Sequence, residues 1–328
     1  MKSEIDPGTI VFFDGRFVPL REAHIGIMTH ALHYGTGVFE GIRAYWSETE
    51  RELFLLRPLD HYMRWKQNCG ILHLDVPLSP EKLCQITVEL ARRNGFDADL
   101  YVRPLAYKCA ERIGVAIDDQ DAFFIAAFPF GEYLHSDDGL HAGVSAWRRI
   151  EDNAIPARGK ICGAYANSAL ASDDARRSGF DEAILLNEAG HVTEGATCNL
   201  FMVRKRRLIT PSDTENVLEG ITRDSVMELA RQELGLEIEE RPIDRSELYV
   251  CDELFLTGTA VGVAPVTRVD HRAVGDGAVG EIAGRLRRIY SLAARGRMPA
   301  YRRWLTPVYG EGHSPDREAA HLAETNVA

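Results

Sequence analysis

Lysine is scarce in this sequence. Lys2, Lys66, Lys82, Lys108, Lys160 and Lys205 are the only ones among 38 basic residues in 328, and arginine supplies the rest. With 49 acidic residues the formal charge is −11, so the chain lacks the basic face that a nucleic-acid backbone requires. The densest basic run, Arg204-Lys205-Arg206-Arg207, sits between two apolar strand-like runs and reads as a solvated hairpin turn. The six cysteines include no C-x-x-C pair, which argues against a disulfide framework or zinc knuckle and for buried free thiols. Long apolar runs are missing too. The longest, from Ala122 to Phe130, contains Pro129 and falls far short of the ~20 residues that span a bilayer. Acids and Pro7 stand near the N-terminus, where a secretory signal needs an apolar stretch. A cytoplasmic protein is expected, with neither nucleic acid nor membrane as partner. The lack of a Walker loop and of a G-x-S-x-G elbow weakens the NTPase and hydrolase readings.

What is present describes a globular chain. Hydrophobic residues make up 45% and charged residues 27%, ordinary values for a sizeable core, and the length suggests about two domains. Asp14-Gly15 between apolar runs predicts a hairpin. Ser79-Pro80, then Leu83, Ile86 and Leu90, then Gly95, predict a capped helix. Strands are expected over 101–107 and over 122–128, the second buried on both faces. The polar, flexible stretch after Gly131 marks a boundary, giving a domain over 1–131, a linker over 132–140 and a second domain over 141–305. Short strands near 182–187, 199–204, 207–210 and 253–257 alternate irregularly with helices near 167–178, 223–234 and 279–294, which favours α+β over a doubly wound sheet. Composition changes after Trp304, and residues 306–328 read as a disordered tail.

Several motifs look chemical and fail on context. Gly275-x-Gly277-x-x-Gly280 matches a dinucleotide fingerprint, but Asp276 puts a negative charge in the loop and no further strand is expected after it. His30 and His33 could face one side of a helix, yet no third ligand cluster accompanies them, so packed histidines and no metal site are expected.

Lys160 stands apart. It precedes the small-residue segment Ile161-Cys162-Gly163-Ala164-Tyr165-Ala166, where a bulky cofactor could approach the backbone. A lysine desolvated in such a place becomes a neutral nucleophile able to form a Schiff base. Glu194, just before a flexible turn, could pair with a protonated pyridine nitrogen. Gly220-Ile221-Thr222 opens a helix whose first amides, with the Thr222 hydroxyl, suit a phosphate, and Gly258-Thr259-Ala260 is a second turn of that kind.

With these segments in view the chain resembles the fold-type IV (class IV) pyridoxal-phosphate aminotransferases, and among them most the branched-chain amino acid aminotransferases. His30-Ala-Leu-His-Tyr-Gly-Thr-Gly-Val-Phe-Glu-Gly-Ile-Arg43, Tyr101-Val-Arg-Pro104, Lys160-x-x-Gly-x-Tyr165, Glu194-Gly-x-x-x-Asn-Leu-Phe201, Gly220-Ile-Thr-Arg223 and Gly258-Thr-Ala260 stand in the family's order. The resemblance implies a two-domain α+β fold with a small α/β N-terminal domain and a larger pseudo-barrel. It implies that Lys160 carries pyridoxal 5'-phosphate, Tyr165 bonds the phenolic oxygen, Glu194 pairs with the ring nitrogen, and Arg64, Ile221, Thr222 and Thr259 hold the phosphate. It also implies a substrate pocket of Tyr34, Phe39, Gly41, Tyr101, Arg103, Tyr133 and Ala260, with Arg103 and Tyr34 at its edge. A homodimer or a multiple of it follows from the same likeness.

The implied reaction moves an amino group between an apolar, branched-chain L-amino acid and 2-oxoglutarate. Rivals of the same fold type are a D-amino acid or (R)-amine aminotransferase and an aminodeoxychorismate lyase; a non-catalytic cofactor-binding protein is a rival of another class. One departure bears on the substrate. Where the family commonly has Gly-Thr-Ala-x-Glu-(Ile/Val)-Thr-Pro, this chain has Gly258-Thr-Ala-Val-Gly262-Val-Ala264-Pro265, which removes a carboxylate and a hydroxyl from what is expected to be the substrate end.

Overall fold

A computed structural model describes residues 5–131 and 138–310. The chain divides into two units, one formed by residues 1–131 with 293–328 and the other by 132–292. The first unit contains β1 (Ile10–Phe13), β2 (Arg16–Pro19), α1 (His30–Tyr34), β3 (Gly37–Phe39), β4 (Ile42–Ser47), β5 (Glu52–Leu56), α2 (Pro58–Ile71), α3 (Pro80–Asn94), β6 (Leu100–Lys108) and β7 (Asp121–Pro129). Asp14 and Gly15 take φ of 49° and 75° at the β1–β2 turn, the left-handed pair that a two-residue hairpin demands. In α3 the Ser79 side chain accepts the Lys82 N–H at 3.2 Å, Pro80 opens the helix, and Gly95 ends it at φ 60°.

β6 and β7 pair antiparallel along their whole length, from Leu100↔Pro129 to Lys108↔Asp121. One side of β7 meets the helices: Phe123 packs edge-on against Trp65 of α2, and Ile125 and Ala127 are buried. The other side corrects the expectation of a strand buried on both faces. Phe124, Ala126 and Phe128 are only partly buried, because they sit opposite Leu105, Arg103 and Tyr101 on a face that carries a cation and stays half open. An antiparallel sheet with one packed and one open face is ordinary.

The second unit contains β8 (Leu140–Val144), α4 (Tyr165–Arg177), β9 (Glu182–Leu186), β10 (Val192–Gly195), β11 (Asn199–Arg204), β12 (Arg207–Thr210), α5 (Ile221–Leu234), β13 (Ile238–Glu240), β14 (Glu253–Gly258), β15 (Gly262–Val269), β16 (Arg272–Ala273) and most of α6 (Glu281–Ala294). Strands run in the order β10-β9-β8-β15-β14-β11, and β11 pairs back to β10, closing a six-stranded barrel. Ile184, Val192, Leu200, Met202, Leu254, Leu256 and Val266 fill it. Ala171 and Ala175 of α4 pack on Ala183 and Leu185 of β9, and these small side chains let the helix lie close. At the Arg204–Arg207 hairpin Lys205 and Arg206 have φ of 51° and 63°, the solvated turn that the basic run predicted.

The chain then returns to the first unit. β17 (Leu305–Pro307) pairs antiparallel with β5, so residues 306–310 are not part of a disordered tail, and residues 293–305 fall outside the domain expected over 141–305. The reason is one carboxylate. Glu52, 7% exposed, accepts the N–H groups of Val308 at 3.0 Å, Tyr309 at 2.8 Å and Gly310 at 2.7 Å. Leu140 already belongs to β8, so the expected linker runs into a strand; residues 132–137 and 311–328 lie outside the described residues.

Glu52→Ala would leave the N–H of buried Tyr309 without its acceptor and the Val308 N–H with the Leu53 carbonyl alone. The expected loss is about 2 kcal/mol, the range for hydrogen bonds to a charged group, read as a lower urea midpoint. An unchanged midpoint would show that β17 adds nothing to the first unit.

Candidate cofactor and substrate site

Lys160 lies five residues before Tyr165, the first residue of α4. Its Nζ donates to the Tyr165 hydroxyl at 2.9 Å and lies 5.3 Å from the ring centroid. The other lysines drawn into the fold are held differently. Lys66 Nζ donates to the Val76 and Leu78 carbonyls at 2.6 and 3.0 Å. Lys108 Nζ donates to the His73 and Asp118 carbonyls at 2.7 and 2.6 Å and pairs with Asp121 at 2.8 Å. Cages of carbonyl and carboxylate oxygens favour the charged ammonium; Lys160 meets a phenol and an aromatic face.

Glu194 occupies β10 at its pairing with Asn199 of β11, and is 4% exposed. Oε1 accepts from Arg149 Nη2 at 2.8 Å. Oε2 accepts from Asn199 Nδ2 at 3.0 Å and from the Leu218 N–H at 3.2 Å. Burial pushes this carboxyl above the ordinary glutamate range, with Arg149 the foremost opposing influence, followed by the Leu218 N–H, Lys160 and Arg223. Asn199 Nδ2 also donates to the Leu218 carbonyl at 2.8 Å, so Leu218 is gripped at both backbone groups. Two residues on, Gly220 precedes α5. A Cβ there would overlap Asn199 Oδ1, and only glycine fits. Gly220 is the N-cap of α5 and makes no side-chain cap bond, and a helix N-terminus of this kind suits an anion. Ile221 and the buried Thr222 form this turn. α5 packs on β14, and Thr259 and Ala260 follow β14 directly. Thr257, inside β14, is wholly buried, and its Oγ1 has no hydrogen-bond partner among the described residues.

The second unit therefore gathers a lysine on a phenol, a buried carboxylate, an uncapped helix end and an unsatisfied hydroxyl. This donor set fits pyridoxal phosphate: amine, phenolic-oxygen partner, ring-nitrogen partner and phosphate seat. Arg149 and Asn199, which hold Glu194, were not singled out in the sequence. Arg149 follows Trp147-Arg148 without a motif, and Asn199 stood inside one without an assigned role.

In the first unit the structure brings four expected pocket residues together. Arg103 Nη2 donates to the Tyr101 hydroxyl at 3.1 Å, and its guanidinium lies 4.5 Å from the Phe39 ring centroid and 5.2 Å from that of Tyr101. A Cβ at Gly41 would overlap the Tyr101 hydroxyl, so glycine makes room for that ring. Tyr34 is not joined to this group through its hydroxyl, which accepts the Gly114 N–H at 2.9 Å. Tyr133 lies outside the described residues. Arg64 is fixed by Glu40, with Nε at 2.7 Å from Oε1 and Nη2 at 2.9 Å from Oε2, and His61 Nδ1 lies 2.9 Å from the same carboxylate. Burial alone would raise the Glu40 carboxyl; Arg64 and His61 outweigh it and hold it well below the usual range.

The rejected motifs have structural explanations. The α6 end after Gly280 is taken by the protein's own acid: Glu253 accepts the Ile282 and Ala283 N–H groups at 3.0 and 2.7 Å, where a dinucleotide phosphate would sit. His30 Nδ1 bonds Thr36 Oγ1 at 2.7 Å, and His33 Nε2 meets the Ile27 carbonyl at 2.9 Å. Among the described residues no cluster could hold a metal ion, and no helix is long and apolar enough to cross a membrane. At the departure in β15, Gly262 takes φ 63°. Ala264 lies in the barrel core, so the missing hydroxyl at 264 is a core substitution and not a change at a pocket edge.

Known proteins bear out the resemblance. The family model described as "Amino-transferase class IV" matches residues 37–269. The chain belongs to this family. It is 48% identical over 299 residues, 91% of this chain and 96% of the relative, to a probable branched-chain-amino-acid aminotransferase of Aquifex aeolicus. It is 37% identical to the branched-chain-amino-acid aminotransferase of Salmonella typhimurium, covering 91% and 97% of the two chains. The crystal structure of the branched-chain aminotransferase of Thermoproteus uzoniensis with norvaline is similar at a TM-score of 0.88 and 41% identity, covering 92% of this chain and 99% of that one. The branched-chain amino acid aminotransferase of Thermobaculum terrenum in its PLP-bound holo-form has a TM-score of 0.88 at 39% identity, covering 92% of this chain and 99% of that one.

A second buried carboxylate beside the site yields a pH prediction. Glu182 Oε1 accepts the Ala183 N–H at 2.8 Å and, at 3.3 Å, that of Ala196 in the turn after Glu194. Glu182 pairs with no cation among the described residues, and burial raises its carboxyl. Its folded-state affinity for a proton exceeds the unfolded one, so stability present at acidic pH is lost as pH rises above the ordinary glutamate range. Each tenfold difference in that affinity is worth about 1.4 kcal/mol. Glu182→Gln should raise the melting temperature at pH 8 and change it little at pH 4.5. Destabilisation at both values would refute this reading.

Proposed function

We propose that the protein is a pyridoxal-phosphate-dependent branched-chain-amino-acid aminotransferase, transferring an amino group between a branched-chain L-amino acid and 2-oxoglutarate to give the 2-oxo acid and L-glutamate. The observation that carries this reading is the Lys160–Tyr165 contact in the same unit as a buried, triply bonded Glu194, in a chain of the class IV family. The names of its relatives support the substrate class.

The roles follow from chemistry. Pyridoxal phosphate, when bound, supplies an electron sink for charge left at the substrate Cα. Lys160 would hold the cofactor covalently, and its amine would carry the proton to and from the substrate Cα. Tyr165, which bonds Lys160, would hold the phenolic oxygen. Glu194 would hold the ring nitrogen. The family resemblance gives the phosphate to Arg64, in the fixed grip of Glu40, in the first unit, and to Ile221, Thr222 and Thr259 in the second. The same resemblance gives the substrate to Tyr34, Phe39, Gly41, Tyr101 and Arg103 in the first unit, and to Tyr133 and Ala260 in the second. Arg103, oriented by Tyr101, is the cation for glutamate's second carboxylate, and the Phe39 and Tyr101 rings suit apolar side chains.

The assembly is read as a homodimer or a multiple of it. In the first unit Ile25, Ile27, Leu32, Ile113, Val115 and Ile117 are exposed, and their two segments are joined by the Thr29–Glu111 bridge and the Gly114–Tyr34 bond. An exposed apolar patch of this kind marks an association surface. A cytoplasmic location is supported by six free cysteines.

The cofactor assignment is tested by borohydride treatment of the yellow protein, followed by peptide mapping. The label is expected on Lys160; label on Lys66 or Lys108 would remove the basis of the site. Initial rates over L- and D-donors, beside a pyruvate-release assay, test the activity. Branched-chain L-donors should lead the panel. A preference for D-donors, or release of pyruvate without transamination, would assign the chain to another member of the fold type. Sedimentation showing an active monomer at micromolar concentration would count against the dimer.

A further inference from the structure

Glu194 has to carry its charge where burial works against it. Its three partners, Arg149 Nη2, Asn199 Nδ2 and the Leu218 N–H, are all donors, one on Oε1 and two on Oε2, a set that favours the anion and leaves room on Oε1 for one further donor. Asn199 and Leu218 bring dipoles, whereas Arg149 brings a full charge. Two other cations face the carboxylate, Lys160 and Arg223. Arg223 is committed to Asp213 at 3.3 Å, to Glu240 at 2.6 Å and to the Pro211 carbonyl at 3.0 Å. Lys160 is the group that reacts. Arg149 alone holds its charge against Glu194 in a site built for it. It is 7% exposed, its N–H donates to the Leu186 carbonyl at 2.9 Å, and its Nε donates to the Asn216 carbonyl at 3.2 Å. The carbonyl of Arg148 accepts from Asn167 Nδ2 at 3.0 Å, which ties this strand of chain to the first turn of α4, the helix that Tyr165 begins.

We propose that Arg149 is a positioning residue that keeps Glu194 anionic and thereby keeps the proton on the cofactor's ring nitrogen. This rests on the reading of Glu194 as that nitrogen's partner. Arg149 acts through the carboxylate it binds. A guanidinium remains charged at every pH at which the protein is folded, so the anion is held independently of whether the cofactor is bound.

The test joins a double-mutant cycle on the cofactor-free protein with a pH titration of the holoenzyme. Arg149→Met removes the charge while keeping bulk, and Glu194→Gln removes the partner's charge. In urea denaturation at pH 8, Arg149→Met is expected to lower the midpoint, and adding Glu194→Gln is expected to recover most of the loss, the sign of a coupled pair. Losses that simply add would overturn the proposal. In the holoenzyme the pH midpoint of the visible cofactor band should move upward in Arg149→Met by about one pH unit or more, a tenfold change in proton affinity, because an unprotonated ring nitrogen withdraws less charge. Arg149→Lys should leave that midpoint unchanged. Coupling in the cycle with an unmoved band would sever Glu194 from the ring nitrogen and overturn the proposal, while labelling of Lys160 and the donor panel would still judge the enzyme reading separately. Should Arg149→Met fail to fold in both backgrounds, Arg149→Gln carries the same two readouts.

Discussion

The pairing of Glu194 with Asn199 closes the barrel of the second unit, and the candidate chemistry is organised around that closure. The other neighbours in the ring meet through longer ladders; the β10–β11 contact is a single residue pair. Glu194 is thus fixed by the topology of the ring as well as by its own hydrogen bonds. Asn199 carries the constraint onward. One amide nitrogen grips both the carboxylate and the Leu218 carbonyl, and its oxygen lies where a side chain at Gly220 would begin, just before α5. Moving the closure would move Glu194 and the start of α5 together.

Both units solve the same electrostatic problem. Each buries a carboxylate and opposes its desolvation with an arginine, Arg64 on Glu40 in the first and Arg149 on Glu194 in the second. A buried pair of this kind contributes little net stability, but removing one member strands the other. Its use is geometric, since a guanidinium held by a carboxylate cannot wander. In both of these pairs the fixed cation is an arginine, whereas Lys66 and Lys108 are caged mainly by carbonyl oxygens.

Much of this was legible in the sequence where local chemistry speaks alone. The Asp14-Gly15 turn, the capped α3 and the α5 start near Gly220 follow from residues in contact with their own neighbours. Three of the elements missed have polar or strand-breaking residues at packed positions. α2 buries Pro58, His61, Tyr62, Trp65, Asn68 and Cys69 at helical spacing, but His61 and Asn68 interrupt the apolar stripe. β10 buries Thr193, Glu194 and Gly195, and a strand of such residues carries no apolar signal. β15 holds Pro265 and Gly262, both poor strand formers. Arg149 and Glu40 could not be found because their ion pairs join residues far apart in the chain and leave no trace in a linear pattern. Family motifs supplied Arg64 and Lys160; only the fold supplied the groups that hold their partners in place.

The return of residues 293–310 to the first unit orders events during synthesis. The second unit is continuous in sequence, so all its strands have emerged by residue 273 and can close while the first unit still waits. β5 lies beside β4, and its other edge is free until β17, near the end of the chain, is made. Throughout that interval Glu52 to Leu56, all buried in the finished protein, present an unpaired apolar edge, the kind of surface on which nascent chains associate wrongly. Translation that stalls or stops between β16 and β17 would therefore release a chain with a complete barrel and an open sheet, a substrate for chaperones although most of the protein has been made.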